Sequence, residues 1–351
     1  MTMRIAVAGT GFFSQFHFDA WARLDVEVVG ICSLDAPSAA SVAAQFPGCQ
    51  VFDDFVAMVA ATRPDLIDIV TPPSTHLDFI RIALAAGIPV ICQKPFCGGL
   101  VGATEAAALA AQTGVPLIVH ENFRYMPWYS EIKHALDTGA LGAVYQGTFR
   151  LRPGDGQGPD AYLARQPYFQ DMPRFLVHET LVHIIDVFRY LLGEPTYVFA
   201  DLRRLNPAIK GEDAGLVVLG FEGGVRALID GNRLVDHAAE NRRLTMGEMW
   251  LEGADAVVRL DGDGALYLRP HGENTETPLS YEWQNTGYGG DCVYLLCAGV
   301  LAALSEGRTP MNTADQYLKN LRIGRAVLRY AEQGRRINFL RWPPPPIWGG
   351  G

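Results

Sequence analysis

Closely spaced cysteine pairs are missing from this chain. Its six cysteines, Cys32, Cys49, Cys92, Cys97, Cys292 and Cys297, include no two with the Cys-x-x-Cys spacing of a zinc knuckle or a dithiol redox motif. A chain of 351 residues needs no disulfide staples either, so they read as small apolar residues in a reducing compartment. No metal-ligating set emerges. Positive charge is also scarce, 29 Lys and Arg against 38 Asp and Glu, for a formal net charge of −9. The basic doublets beginning at Arg203, Arg242 and Arg335 are too short to form a patch, which argues against nucleic acid or an anionic membrane as partner. No uninterrupted apolar run reaches the ~18–20 residues of a membrane helix. The opening MTMRIAVAGTG enters a strand pattern directly, without the charged and apolar regions of a secretion signal, so the cytoplasm is expected.

What is present is a change of grammar part-way along. Up to Asn122, apolar runs such as RIAVAG, VEVVGICS, PDLIDIVTP, IPVICQKP and VPLIVHENF alternate with helical patterns. That rhythm predicts βαβ units in a doubly wound parallel sheet, covered on both faces because its strands are apolar throughout. Beyond it, the helix YSEIKHALDTG and a Gly/Pro-rich loop at 153–159 precede PRFLVHETLVHIIDVFRYLLGEP, which reads as the longest amphipathic helix of the chain. Serial strand patterns follow, with hairpin signals at Gly223-Gly224 and Asp261-Gly262-Asp263-Gly264. A helix pair, CVYLLCAGVLAAL and ADQYLKNLRIGRAVLRYAEQG, closes this half. The expected organisation is an α/β domain over 1–121, an α+β domain with a large, mainly antiparallel open sheet over 122–340, and a Pro/Gly-rich tail over 341–351.

Four stretches carry chemistry. GTGFFS, Gly9 to Ser14, stands between the first strand and the first helix, where glycines permit a tight turn and let backbone approach a pyrophosphate. In GICSLDAPS, Asp35 is the acid available to read a ribose, with an N-cap as its other reading. No Lys or Arg lies between Arg23 and Arg63 to meet a 2′-phosphate, which favours NAD over NADP. VICQKPFCGG ends a buried strand on Lys94-Pro95, a costly place for a lysine unless ligand binds at that sheet edge; the sequence leaves the isomer of this bond open. HETLVHIID is not a zinc-protease motif, because position 182 is Val and not His. On a regular helix, Glu179 and His183 share a face, as an acid/base pair would, while a packed core histidine is the plainer reading. HENFRYMP, with Asn122 and Arg124, leaves the last parallel strand where polar groups can meet ligand or form an interdomain salt bridge.

Together, Gly9-x-Gly11, TPPSTH, Lys94-Pro95, NFRYMP, HIIDVFRYLLGEP, EDAGLVVLGFEGG and EQGRRINF resemble the glucose–fructose oxidoreductase/inositol dehydrogenase family, Gfo/Idh/MocA. The resemblance covers nearly the whole chain and implies a Rossmann domain binding NAD through Gly9, Gly11, Phe12, Phe13, Asp35, Thr71, Pro72, His76, Gln93, Lys94 and Asn122. In the family, a Glu-Lys-Pro motif supplies a lysine that touches the substrate hydroxyl and the cofactor; Gln93 replaces the acid here. The family's Asp-x-x-x-His is matched by Glu179-x-x-x-His183. Lys94, His183 and Glu179 are therefore the implied catalytic group, with Arg124, Tyr125, Arg165, Gln166 and Tyr168 beside them toward substrate. Tyr162, in the same YLARQPYF segment, reads as a further ligand-facing aromatic.

The implied activity is NAD-dependent oxidation of a hydroxyl on a small-molecule sugar or polyol. The wider wording QKP…HENFRYMPWY…RQPYF…GGDC resembles the branch acting on D-apiose, which would oxidise an aldose at its anomeric carbon to a lactone. An NAD-using glycosidase and a non-catalytic sugar sensor share the fold and stay open. Apolar residues on both alternations of LVVLGF and VRALI predict a homodimer or homotetramer through the open sheet.

Overall fold

The computed structural model describes residues 2–334 and 337–338. The tail expected over 341–351 lies outside the described residues. Two compact units are present, Met1–Pro127 with Trp283–Arg322, and Trp128–Glu282 with the segment from Ile323 on.

The first unit alternates strand and helix as the apolar rhythm predicts: β1 (Met3–Ala8), α1 (Ser14–Arg23), β2 (Val26–Cys32), α2 (Ala36–Ala43), β3 (Gln50–Phe52) and α3 (Phe55–Thr62). Then come β4 (Leu66–Ile69), α4 (Pro73–Ala85), β5 (Val90–Gln93), α5 (Leu100–Thr113) and β6 (Leu117–His120). The six strands form one sheet in the order β3-β2-β1-β4-β5-β6, every pair parallel. Ile5, Val7, Ile67, Ile69, Val90 and Ile91 are fully buried, as residues of a sheet covered on both faces must be. Local chemistry sets the helix starts. Asp35 and Asp54 accept backbone N–H bonds from Ser38 and Ala57 at the N-termini of α2 and α3, and Pro73 opens α4 where no donor is needed.

The sequence assigns the closing helix pair to the second domain, and the structure corrects this. Trp283–Arg322 belongs to the first unit, and α9 (Ala314–Gln333) begins there before passing into the second. Asp291, just before α8 (Cys292–Ser305), takes a two-point contact from the Arg23 guanidinium of α1 at 2.7 and 2.6 Å. Asn122 Nδ2 donates to Cys292 Sγ at 3.2 Å. Periodicity shows that α8 is apolar but not which core it joins.

In the second unit α6 (Pro127–Asp137) precedes β7 (Val144–Leu151), and α7 (Val182–Leu192) precedes β8 (Tyr197–Arg203), β9 (Ala214–Gly220) and β10 (Arg226–Asn232). β11 (Gly247–Gly253), β12 (Ala256–Leu260), β13 (Leu266–Pro270), β14 (Thr277–Leu279) and β15 (Ile337–Asn338) complete a nine-stranded sheet ordered β14-β13-β12-β11-β7-β10-β9-β8-β15. Only β7 and β10 pair in parallel; the other neighbours are antiparallel. Both expected hairpins form, β9–β10 around Gly223 and β12–β13 around Asp261. Gly147 on β7 is where α7 approaches the sheet, since a Cβ there would stand 2.8 Å from both Phe188 and Leu251.

The helix read from Pro173 is a second correction. Residues Leu176–Leu181 form a π-turn, in which the Val182 N–H reaches back five residues to Val177, and α7 proper starts at Val182. The longest helix is α9, with 20 residues.

Candidate active site

The strand order reverses direction between β1 and β4, which opens a crevice at their carboxyl ends. Gly9 follows β1 there with φ +104°, and a Cβ on it would lie 2.7 Å from the Val70 carbonyl oxygen, so only glycine fits. Gly11, one turn further, has open space where its side chain would be. The Ser14 hydroxyl donates to Gly11 O at 2.7 Å and fixes the turn before α1. Thr10 Oγ1 and Ser33 Oγ, 2.8 Å apart, tie that turn to the end of β2. An open glycine turn against the first amides of α1, at the switch of strand order, fits a dinucleotide pyrophosphate.

The other residues implied for the cofactor divide by environment. Phe12 is 76% exposed beside the turn, whereas Phe13 packs edge-on against Tyr288, ring centroids 5.5 Å apart. Asp35 caps α2 with one carboxylate oxygen and is exposed. Thr71 and Pro72 follow β4; His76, fully buried, meets the Thr71 carbonyl through Nε2 at 2.8 Å and accepts the Cys97 N–H on Nδ1 at 3.4 Å. Burial lowers the His76 pKa despite the Thr71 bond. Asn122 is buried with its amide on Cys292, so its side chain braces the unit from inside.

At the end of β5 a chain of hydrogen bonds leads to Lys94. The Lys94 N–H donates to Gln93 Oε1 at 2.6 Å, and Gln93 Nε2 donates to His17 Nε2 at 3.1 Å. His17 Nδ1–H then donates to Asp68 Oδ2 at 2.8 Å, which also accepts the Trp21 indole N–H at 2.8 Å. The donor sense follows from the ends: the carboxylate only accepts, and the Gln93 carbonyl is occupied by Lys94. His17 and Asp68 are fully buried. The ring of His120 lies against that of His17, centroids 4.2 Å apart and planes tilted by 33°, with neither of its ring nitrogens hydrogen bonded. The amide of Gln93, implied at the cofactor, is engaged inside the unit at both ends. The Lys94–Pro95 bond is cis. His17, Asp68 and Trp21 escaped the sequence reading; a carboxylate within the apolar strand LIDI was the available signal.

In the second unit, His183 lies on α7 and is buried, and Glu179 lies in the π-turn, half-buried. The turn is anchored by Glu212, whose Oε1 accepts the Val177 N–H at 3.0 Å and whose carbonyl accepts that of Leu176 at 2.9 Å. Because of the π-turn, the 3.6-residue register from Glu179 to His183 does not run unbroken. Arg165 and Tyr168 are exposed on the loop after β7, and Gln166 Nε2 donates to the Tyr168 hydroxyl at 3.1 Å. Tyr162 is buried in the base of that loop, with its hydroxyl on Arg233, and does not present itself to a ligand. Of the pair implied from the first unit, Arg124 is half-buried and Tyr125 is buried, its ring against Gly299 of α8.

The model of an oxidoreductase family with an NAD-binding Rossmann fold, GFO_IDH_MocA, matches residues 3–121, and the GFO/IDH/MocA C-terminal domain matches 129–249. The chain belongs to this family. A D-apiose dehydrogenase of Paraburkholderia graminis is 32% identical over 342 residues, 95% of this chain and 89% of that protein. One from Rhizobium rhizogenes is 28% identical over 95% of this chain and 96% of its own. A solved oxidoreductase from Agrobacterium radiobacter, in complex with NAD+, L-tartaric acid and magnesium, superposes with a TM-score of 0.85 at 26% identity, covering 97% of this chain and 99% of the other. This Gfo/Idh/MocA protein is thus an oxidoreductase with an NAD-binding Rossmann domain, as its motifs implied. Among its described residues, no helix is long and apolar enough to cross a membrane.

Proposed function

We propose that the protein oxidises a hydroxyl of a sugar, with D-apiose the first candidate and its anomeric carbon the site, giving a lactone. One observation carries this reading. Lys94 is held by its own backbone at the carboxyl edge of a parallel sheet, in a chain alike over 95% of its length to a D-apiose dehydrogenase. The Gly9 turn, Phe12, Asp35 and the Thr71-Pro72 segment bind the dinucleotide, with His76 and Asn122 bracing the segments around them. NAD, when bound, supplies the hydride acceptor.

The remaining chemistry falls to the chain. His183, oriented by Glu179, takes the hydroxyl proton as the C–H bond weakens. The Lys94 ammonium stabilises negative charge building on that oxygen, where an already placed cation is worth more than water. Arg165, Gln166 and Tyr168, with Arg124, supply donors and ring surface suited to a polyhydroxylated ligand. Tyr125, buried against Gly299, does not face it. The six cysteines are free, which fits a cytoplasmic enzyme.

NADH formation against D-apiose, other aldoses, polyols and inositols tests the reading, with D-apiose expected among the fastest. No net NADH from any of them would overturn it, and cleavage of a glycoside with NAD regenerated in place would make the protein a glycosidase. We also propose a homodimer or homotetramer through the open face of the nine-stranded sheet, where Phe199 and Leu216 are 44% and 43% exposed. Light scattering at micromolar concentration decides this, and a monomer refutes it.

A further inference from the structure

Arg233, just beyond β10, is a fully buried cation that no sequence motif singled out. Its guanidinium has partners on two different segments. Toward the loop after β7, Nη2 donates to Asp155 Oδ2 at 2.7 Å, and Nε to Asp155 Oδ1 at 3.2 Å and to the Tyr162 hydroxyl at 2.9 Å. Toward the π-turn, Nη1 donates to Thr180 Oγ1 at 2.5 Å. The rings of Phe175, Tyr162 and Phe169 enclose it at 4.7, 5.1 and 5.7 Å. These rings, with Ala161 and Ile209, form a small apolar core of their own under the loop.

Such a core would fold without a cation at its centre, and burying an ion pair is a poor route to stability, because desolvation offsets the attraction. What a planar fork does supply is one fixed geometry between the groups it joins. Here those groups belong to the two segments of the second unit that the proposed function uses. The loop carries Arg165, Gln166 and Tyr168, and Asp155 itself reaches from Arg233 to the Arg165 guanidinium at 3.8 Å. Thr180 adjoins Glu179 in the turn that leads into α7 and His183.

We infer that Arg233 is a positioning residue that sets the sugar-contacting loop in register with the acid/base turn, one arm governing substrate affinity and the other turnover. This rests on the function proposed above. Asp155→Asn weakens the loop arm together with the Asp155 contact to Arg165. It should raise the KM for the sugar by roughly 10-fold while changing kcat by less than about threefold. Tyr162→Phe, which removes a loop-arm contact and leaves that to Arg165, should move KM in the same direction. Thr180→Val removes the hydrogen bond of the turn arm and leaves the neighbouring Glu179 charge in place; kcat should fall by roughly 10-fold with KM little changed, the size of loss a small misplacement of an acid/base produces. Arg233→Lys keeps the charge but cannot span both arms, so both parameters should move.

The assay uses D-apiose, or the fastest sugar of the panel if D-apiose is not turned over. Hydrogen exchange on the same purified variants gives a readout that needs no substrate. In Arg233→Lys, amides of 154–172 and of 176–181 should exchange roughly 10-fold faster together, with those of β9 unchanged. If Asp155→Asn and Thr180→Val both leave kcat and KM within about twofold of the parent, or if all segments lose protection alike, Arg233 is only a structural anchor and the inference fails. A His183→Ala protein that keeps full activity would instead sink the proposed site, while the exchange result would still report whether Arg233 couples the segments.

Discussion

Replacing Gln93 by glutamate would set a carboxylate oxygen against His17 Nε2, which accepts a hydrogen bond in the present arrangement. The glutamine therefore belongs to its buried partners as much as to the lysine that follows it. Lys94 itself projects from a backbone whose position is fixed by Gln93, His17 and Asp68 in succession. Lys94→Ala and His183→Ala should each lower kcat by roughly 100-fold or more, the usual worth of a positioned proton-handling group. Titration by fluorescence should find NAD affinity changed less than about threefold, since the proposed site gives the pyrophosphate to the Gly9 turn and the adenosine half to the Asp35 segment. A folded His183→Ala protein with near-parental turnover would reduce that histidine to core packing. His120 makes a second residue-level prediction. Burial, with the neighbouring His17, holds its pKa well below the usual 6.5, and burial also lowers that of His76. The unfolded chain then binds more protons than the native one as pH falls below the usual histidine range. Stability should be lost on acidification, by about 1.4 kcal/mol per pH unit for each such histidine. Because neither His120 ring nitrogen has a hydrogen-bond partner, His120→Phe keeps the ring packing and removes one of these protons. Urea midpoints at pH 7.5 and 5.5 should lie closer together in the variant than in the parent; an unchanged gap would exclude His120 as a source.

At the scale of elements, the chain's first 120 residues were legible almost strand for strand, because a parallel sheet buried on both faces writes itself as uninterrupted apolar runs. Both hairpins of the second unit were legible from their glycines. The π-turn was not. LVHETL carries the same apolar spacing as the helix it precedes, and its winding is fixed by Glu212, more than thirty positions away, on groups that periodicity does not register. Motif resemblance pointed to Glu179 and His183, yet nothing in the motif indicated Arg233, because a basic residue after a strand usually ends in solvent. Helix α7 reaches the sheet over Gly147, and that contact can be tested. Gly147→Ala would press a methyl group into Phe188 and Leu251, with an expected cost of about 1–3 kcal/mol for overpacking. Since α7 carries His183, turnover should fall as well; denaturant unfolding and kcat on the same preparation would show both. A variant of parental stability would mean that the ring and the leucine simply move aside.

For the molecule as a whole, charge is the feature that bears on cofactor choice. No basic residue stands between Arg23 and Arg63, so the segment after β2 offers nothing to neutralise a 2′-phosphate. kcat/KM with NAD should exceed that with NADP by at least ~10-fold, or about 1.4 kcal/mol. Equal use of the two would leave Asp35 as a helix cap alone. The path of the chain between its two compact units was not legible, because α8 is apolar enough to suit either core.

That path also sets an order of events during synthesis. The ribosome releases β1 to β6 early, yet the unit they belong to is not complete until residues near 322 have emerged. Through that interval Arg23 waits for Asp291, and Asn122 for Cys292, while the whole nine-stranded sheet apart from β15 is being made. The nucleotide-binding half, first to be translated, is thus among the last parts of the enzyme to be finished.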